Sequence, residues 1–349
     1  MGFIALDADL ERDSDAAVSV WDDTIGWAGR LPEMYAAFYL DCPLGRPLLK
    51  LLRHEVSGVI VGTAGAGPRR ILWRGREIRA GVVSHLAMVP ACRSVKPGLL
   101  LLRALADTAR TRFDVLYGLP SPQGAALVRL GGGKIGGELI RHVKVLRYEN
   151  YLGRHLPQPF AVAGASLINL ARQALDGLRH MGEKSSLHAE WVDQVDPRME
   201  RLWQRSPHGD CWTTIRDTAM LRWRFDHLPS VRRRYLLLGS KRDEELLAWF
   251  ACDTHVREPQ MLTVNDFWST QGVRGIDPVV IRTLCRAACR EGFHAIELRF
   301  TGADAIHASL TAEGFVERSR QPMIVQWYNQ DLAGDLNGKL HITDIENDG

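Results

Sequence analysis

Short apolar runs of strand length recur between residues 47 and 89, at 47–54, 58–65, 69–76 and, longest, 80–89. A helical, tryptophan-bearing segment precedes them. The period then changes. Leu99, Leu102, Leu105, Ala106 and Ala109 fall on one face of a helix at about 98–112, with Arg110 and Arg112 at its C-terminal end, where cations complement the helix dipole. A strand at 114–119, a short helix and a strand at 138–148 complete this half. Downstream, strands are expected at 233–239, 245–252 and 260–269. A helix follows, with Asp277 as N-cap, Pro278 in its first turn and Gly292 as its stop. Strands at 294–300 and 320–328 close the series. Four strands, helix, strand, helix, strand is a mixed α/β layer architecture.

The two series repeat one another. At an offset of 186, Met34 meets Met220, Tyr39 meets Phe225, Pro43 meets Pro229 and Leu51 meets Leu237, and the apolar run 59–64 lies on 245–250. After a loop deletion the offset falls to 180, where Phe113-Asp-Val-Leu-Tyr faces Phe293-His-Ala-Ile-Glu. Repetition at a fixed spacing predicts two units of one design. The expected domains are 1–152 and 187–330, joined by a linker and connecting helix at 153–186. That helix carries Leu167, Leu170, Ala174 and Leu178 as an apolar stripe. An acidic tail, 331–349, is expected to fray.

Composition narrows the classes. The chain has 349 residues, 46% hydrophobic and 24% charged, with a formal net charge of +3. That is ordinary for a protein with a proper core, and too weakly basic to suggest a nucleic-acid partner. Its six cysteines are scattered, as expected of reduced thiols. Cys285 and Cys289 stand one helical turn apart near His294, but no second ligand pair at short spacing accompanies them, so no metal is expected. The N-terminus lacks a basic n-region, and no apolar run reaches ~18 residues. A cytoplasmic protein without a transmembrane helix is expected.

The stretch AGVVSHLAMVPACRSVKPGLLLLRALAD, residues 80–107, resembles the coenzyme A-binding motif of GNAT N-acyltransferases, in which a strand ends in a glycine-bearing loop that opens a helix. LRWRFDHLP at 221–229, with AEGF at 312–315, resembles the tandem, FemAB-like GNAT proteins of polysaccharide and cell-envelope biosynthesis. The resemblance implies two tandem GNAT domains and acetyl-CoA or another acyl-CoA as donor. It implies a small-molecule amine or amino sugar as acceptor, with an acyl-carrier protein or aminoacyl-tRNA as the alternative donor. Arg93, Ser94, Lys96, Gly98 and Leu99 would then wrap the pyrophosphate, since a helix N-terminus offers backbone N–H groups and positive potential. Backbone at Leu86, Met88 and Val89 would polarise the thioester carbonyl. The loop departs from the family pattern by one extra residue and by Pro97, which removes a donor. In the second half, Gly272, Arg274 and Gly275 form no comparable loop, and an N-cap at Asp277 would compete with phosphate for the same amides.

Candidates for proton transfer are His85 and Tyr117. The tyrosine usual in the family is replaced by Leu310, and histidine has the better unperturbed pKa for a base; a packed, hydrogen-bonded strand histidine is the competing account. Asp266, Glu297 and Arg299 either hold an amine or sugar hydroxyl or form ion pairs, and Trp223 either stacks on a sugar or fills the core. Arg232–Arg234 suits an acidic acceptor, or protects an edge strand by charge. Gly131-Gly-Gly133-Lys-Ile-Gly136 satisfies G-x-G-x-x-G, yet precedes a strand, the reverse of a dinucleotide-binding turn. A non-catalytic GNAT-fold binding protein is the remaining alternative.

Overall fold

The computed structural model describes residues 2–22, 24–25, 30–147, 187–227, 233–240, 245–254 and 258–347. The expected linker and helix at 153–186 lie outside them, as do Pro229 and Arg232. The chain runs through β1 (Phe3–Asp7), α1 (Ser14–Asp22) and α2 (Leu31–Tyr35), which continues into a π-helical turn at Ala36–Leu40. Next come β2 (Leu48–His54), β3 (Ile60–Trp73), β4 (Arg76–Met88), α3 (Val95–Ala109), β5 (Val115–Gly118), α4 (Pro122–Leu130) and β6 (Lys134–Val145). After the gap follow β7 (His188–Val192), α5 (Pro197–Arg205), β8 (Thr213–Thr214) and α6 (Thr218–Leu221), which continues into a second π-helical turn at Arg222–Asp226. The remaining elements are β9 (Arg233–Gly239), β10 (Leu246–Thr254), β11 (Met261–Ser269), α7 (Pro278–Arg290), β12 (Ala295–Thr301), α8 (Asp304–Ala312), β13 (Val316–Trp327) and β14 (Ile342–Thr343).

Two expectations change. The runs at 58–65 and 69–76 are one strand, β3, despite Pro68. β2 pairs with β3 only as far as Ala66, and β8 begins pairing at Ile71. Pro68 therefore falls in a gap along that edge, where its missing N–H costs no ladder bond. The β3–β4 hairpin turns through Arg74 and Gly75, both at positive φ, as a two-residue turn of this hand requires. The tail does not fray. Leu336, Leu340, Ile342 and Ile345 are buried, and Glu346 accepts from the amides of Thr343 (2.8 Å) and Thr214 (3.4 Å). Its acids are spaced by enough apolar residues to fill a core, which charge counting overlooks.

The described chain forms two compact units. The first comprises Met1–Ile140, His208–Ser230 and Arg320–Gly349; the second comprises Arg141–Pro207 and Val231–Ser319. In the first, the strands run β1-β2-β3-β4-β5 and are then extended by β13, antiparallel to β5 from Ile324↔Gly118 to Trp327↔Val115. α3 covers one face through Leu101, Leu105 and Ala109. On the other face Trp212, Leu336, Leu340 and Ile342 pack on Ile78, Val82, Tyr117 and Val325. In the second unit the order is β12-β11-β10-β9-β7, with α7 and α8 contributing Ile281, Leu284, Ile306 and Leu310 to the core.

The internal repeat holds in detail. The π-helical turns start at Ala36 and Arg222, 186 residues apart, and both follow a short helix. β5 and β12 start at Val115 and Ala295, 180 apart. Within the first unit the equivalent turns touch at equivalent positions: Trp223 Nε1 donates to the Ala37 carbonyl at 2.7 Å, and His227 Nε2 lies 3.0 Å from Asp41 Oδ2.

Candidate active site

β4 and β5 run parallel and pair only at Ala80↔Val115, Gly81↔Leu116 and Val82↔Tyr117. Beyond Val82, β4 carries a bulge. Opposite Thr63–Gly65 on β3 stands Ser84–Ala87, one residue more, and the extra residue turns the strand. His85 takes the strain, with φ of +50°, a left-handed conformation that costs a non-glycine residue about 1–2 kcal/mol. A cleft of about 290 Å³ opens between the strands here. Val83, Ser84, His85 and Leu86 line it on one side, Gly118–Ser121 on the other, and Gln321 and Asn347 complete the wall.

An aromatic shell fixes His85. Its ring stacks on Trp21 (centroids 4.4 Å apart, planes at 20°), and Phe38 and Tyr39 each lie 5.4 Å away. His85 Nδ1 lies 2.9 Å from Tyr39 Oη. Thr63 Oγ1 accepts from Trp21 Nε1 and donates to the His85 carbonyl, each at 2.8 Å. A bulge takes backbone groups out of the ladder, and a buried carbonyl needs a substitute donor; Thr63 supplies one.

α3 begins beside the end of β4. Its N-cap, Ser94, makes no side-chain capping bond. Such a cap bonds the second or third amide of the helix, and the third residue here is Pro97, which has none. The Gly98 amide returns to the Ser94 carbonyl at 3.4 Å, leaving Val95 and Lys96 to present N–H groups. Ser94 and Lys96 are exposed, as is Arg93, whose Nε donates to the Met88 carbonyl at 2.9 Å. Gly98 lies one turn inside the helix, and a Cβ there would meet Leu127 of α4 at 2.7 Å. Leu99 is half-buried beside it. The Val89 amide donates to the Val61 carbonyl at 2.9 Å. Tyr117 is 1% exposed, edge-on to Trp212 at 5.4 Å; it borders a separate, smaller hollow with Leu102 and Ile324.

The second unit repeats this plan with different chemistry. Its central strand β11 also bulges, at Asn265, between Val264 opposite Cys252 and Asp266 opposite Ala251. Asn265 stands 180 residues from His85. Its Nδ2 donates to Asp253 Oδ2 at 2.7 Å, and Asp253 holds Arg233 by two bonds of 2.6 and 2.7 Å. At the start of α7 the Asp277 carboxylate accepts from the Val279 amide at 2.8 Å, so this helix caps itself. Asp266 is fully buried. Glu297 pairs with Arg141 at 2.5 Å and with Arg299 at 3.7 Å. Trp223, in the first unit, is a core residue with the Arg69 guanidinium 4.7 Å over its ring.

Among the described residues, His142, His307 and Glu317 bring ligand-type atoms within 4.8 Å of one another. The Gly302 amide donates to His307 Nε2 at 3.4 Å, so a neutral His307 carries its proton on Nδ1 and donates it to His142 Nε2, 3.3 Å away.

These mixed sheets, with a splayed strand pair and a helix opening at the splay, define a GNAT fold in tandem. No family model matches the sequence, and no curated protein does. Solved structures do. A GCN5-related N-acetyltransferase from Anabaena variabilis superposes with a TM-score of 0.64 at 12% identity, over 94% of this chain and 73% of that one. A probable N-acyltransferase from Enterococcus faecalis gives 0.63 at 9% identity, over 95% and 74%. A fungal multi-domain β-N-acetylglucosaminidase with a GCN5-related glucosamine N-acetyltransferase region gives 0.56 at 14% identity, over 93% of this chain and 38% of that one. No helix among the described residues is long and apolar enough to cross a membrane.

Proposed function

We propose that the protein transfers an acyl group from acyl-coenzyme A to an amine, and that the donor binds to the first unit only. The observation that carries this reading is the contrast between two equivalent helix N-termini. That of α3 is uncapped and flanked by Arg93 and Lys96, whereas that of α7 is occupied by the carboxylate of Asp277. An anion needs the first and is repelled by the second.

The pyrophosphate takes the Val95 and Lys96 amides with the two cations, and the pantetheine arm enters the cleft between β4 and β5. The bulged backbone at Leu86 polarises the thioester carbonyl. The amine nitrogen attacks, the C–N bond forms and the C–S bond breaks. The amine's proton leaves by way of water and the thiolate takes one from water, because both ring nitrogens of His85 are closed to the cleft, Nδ1 against Tyr39 Oη at 2.9 Å and Nε2 by burial. Acetyl and longer acyl groups both meet these requirements. An amino sugar is the acceptor class favoured by the likeness to the glucosamine N-acetyltransferase region.

Isothermal titration with acetyl-, decanoyl- and free coenzyme A tests this. One equivalent per chain is expected, abolished by the double substitution of Arg93 and Lys96 with alanine. No heat with any of the three, or full affinity in the double variant, overturns it.

A further inference from the structure

Three ligand-bearing side chains of the second unit converge although the sequence keeps them apart. His142 is on β6, His307 stands 165 residues later on α8, and Glu317 is near the start of β13. One nitrogen of each imidazole and one carboxylate oxygen come within 4.8 Å of one another. The two nitrogens, His142 Nε2 and His307 Nδ1, are 3.3 Å apart. That is long for a hydrogen bond. It matches two ligands on one tetrahedral ion, because metal–nitrogen bonds of ~2.0–2.1 Å set such ligands about 3.3–3.4 Å apart. Packing holds both rings in place. His142 is 3% exposed, and the His307 ring lies 5.2 Å from Phe300 and 5.3 Å from His142.

We propose that His142 Nε2, His307 Nδ1 and a carboxylate oxygen of Glu317 bind one zinc ion, with water as the fourth ligand. Two imidazoles and a carboxylate suit zinc, whereas magnesium and calcium take oxygen ligands throughout. Glu317 is exposed, so its side chain closes the remaining distance by rotation and leaves the fourth position open to solvent. Binding moves the His307 ring proton from Nδ1 to Nε2, with no net proton lost. It gives up the donation from the Gly302 amide, which at 3.4 Å is the longer of the two contacts of this ring. That half-buried amide then turns to water. The ion ties α8 and the first residues of β13 to β6, a structural role that needs nothing from the acyl-transfer reading. Short ligand spacings in the sequence do not announce the site, because its three residues come from three elements.

The test strips the full chain with EDTA and titrates it with zinc against a chromophoric chelator, then with cobalt as a spectroscopic substitute. One equivalent per chain is expected, with the visible absorption of tetrahedral cobalt and no thiolate charge-transfer band. His142→Ala and His307→Ala are each expected to weaken zinc by more than about 100-fold, beyond what losing a supporting outer partner costs. Glu317→Gln, an exposed change that spares the fold, is expected to weaken it about tenfold. Cys289→Ser, which removes a thiol of the Cys285–Cys289 pair, is expected to change nothing. Failure of the parent chain to take up zinc, a thiolate band with cobalt, or parental zinc affinity in His307→Ala or Glu317→Gln overturns the proposal.

Discussion

Replacing Ser94 with aspartate should move stability and donor affinity in opposite directions. Ser94 already has N-cap geometry, with φ −153° and ψ 167°, but makes no capping bond. A carboxylate one atom longer reaches the Lys96 amide as Asp277 reaches that of Val279 at 2.8 Å. The new cap and its favourable place on the helix dipole contribute about 1 kcal/mol, raising the first unit's transition by about 2–4 °C. The same group removes an amide from the pyrophosphate site and sets a negative charge in it. Losing one charge-assisted hydrogen bond and gaining one repulsion amounts to about 2–3 kcal/mol, a weakening of roughly 30- to 150-fold. Differential scanning fluorimetry and titration calorimetry on one preparation read both numbers. Asp277→Ala is the control: it should lose about 1 kcal/mol of stability and leave donor affinity alone. A Ser94→Asp protein whose donor Kd stays within about twofold of the parent would refute the reasoning, because the α3 terminus could not then be the anion site.

Trp223→Ala should cost about 3–5 kcal/mol, since it empties a buried site, orphans the Ala37 carbonyl and removes the ring under the Arg69 guanidinium; a urea transition shifted by under about 1 kcal/mol would contradict that packing. His341 is fully buried, and burial, followed by the nearby charge of Arg216, holds its pKa well below the usual value. The unfolded chain therefore binds a proton that the native chain refuses. Stability from this residue is complete above about pH 6.5 and falls below it by up to ~1.4 kcal/mol per pH unit. His341→Gln should flatten that part of a stability-against-pH curve, and an unchanged slope would argue against the buried neutral imidazole.

The repeat was legible because strand and helix periods survive divergence. Offsets of 186 and 180 place Ala36 on Arg222 and Val115 on Ala295, the first residues of matching elements. The self-capped α7 was legible too, since Asp-Pro announces a helix start by itself. His85 could be named as a strand histidine, but its left-handed backbone could not, because nothing local distinguishes a bulge from a regular strand. The contact of Tyr39 with His85 has one sequence signal, the repeat that sets Tyr39 against Phe225, a polar group facing an apolar twin. Tyr117 and Trp223 carry side chains suited to proton transfer and sugar stacking, and the fold buries both. Glu297 and Arg299 do share a strand face, but the partner that completes their cluster, Arg141, comes from β6, more than 150 residues earlier in the chain.

The order in which the chain leaves the ribosome runs against the order of the two units. Every strand from β1 to β5 is made early, yet the first unit also needs His208–Ser230 and everything from Arg320 onward. The second unit has all its residues once Ser319 has emerged. The first unit is thus begun first and finished last: its sheet waits with the antiparallel edge of β5 open until β13 is synthesised. A stop codon a few dozen residues early would spare the second unit and abolish the first.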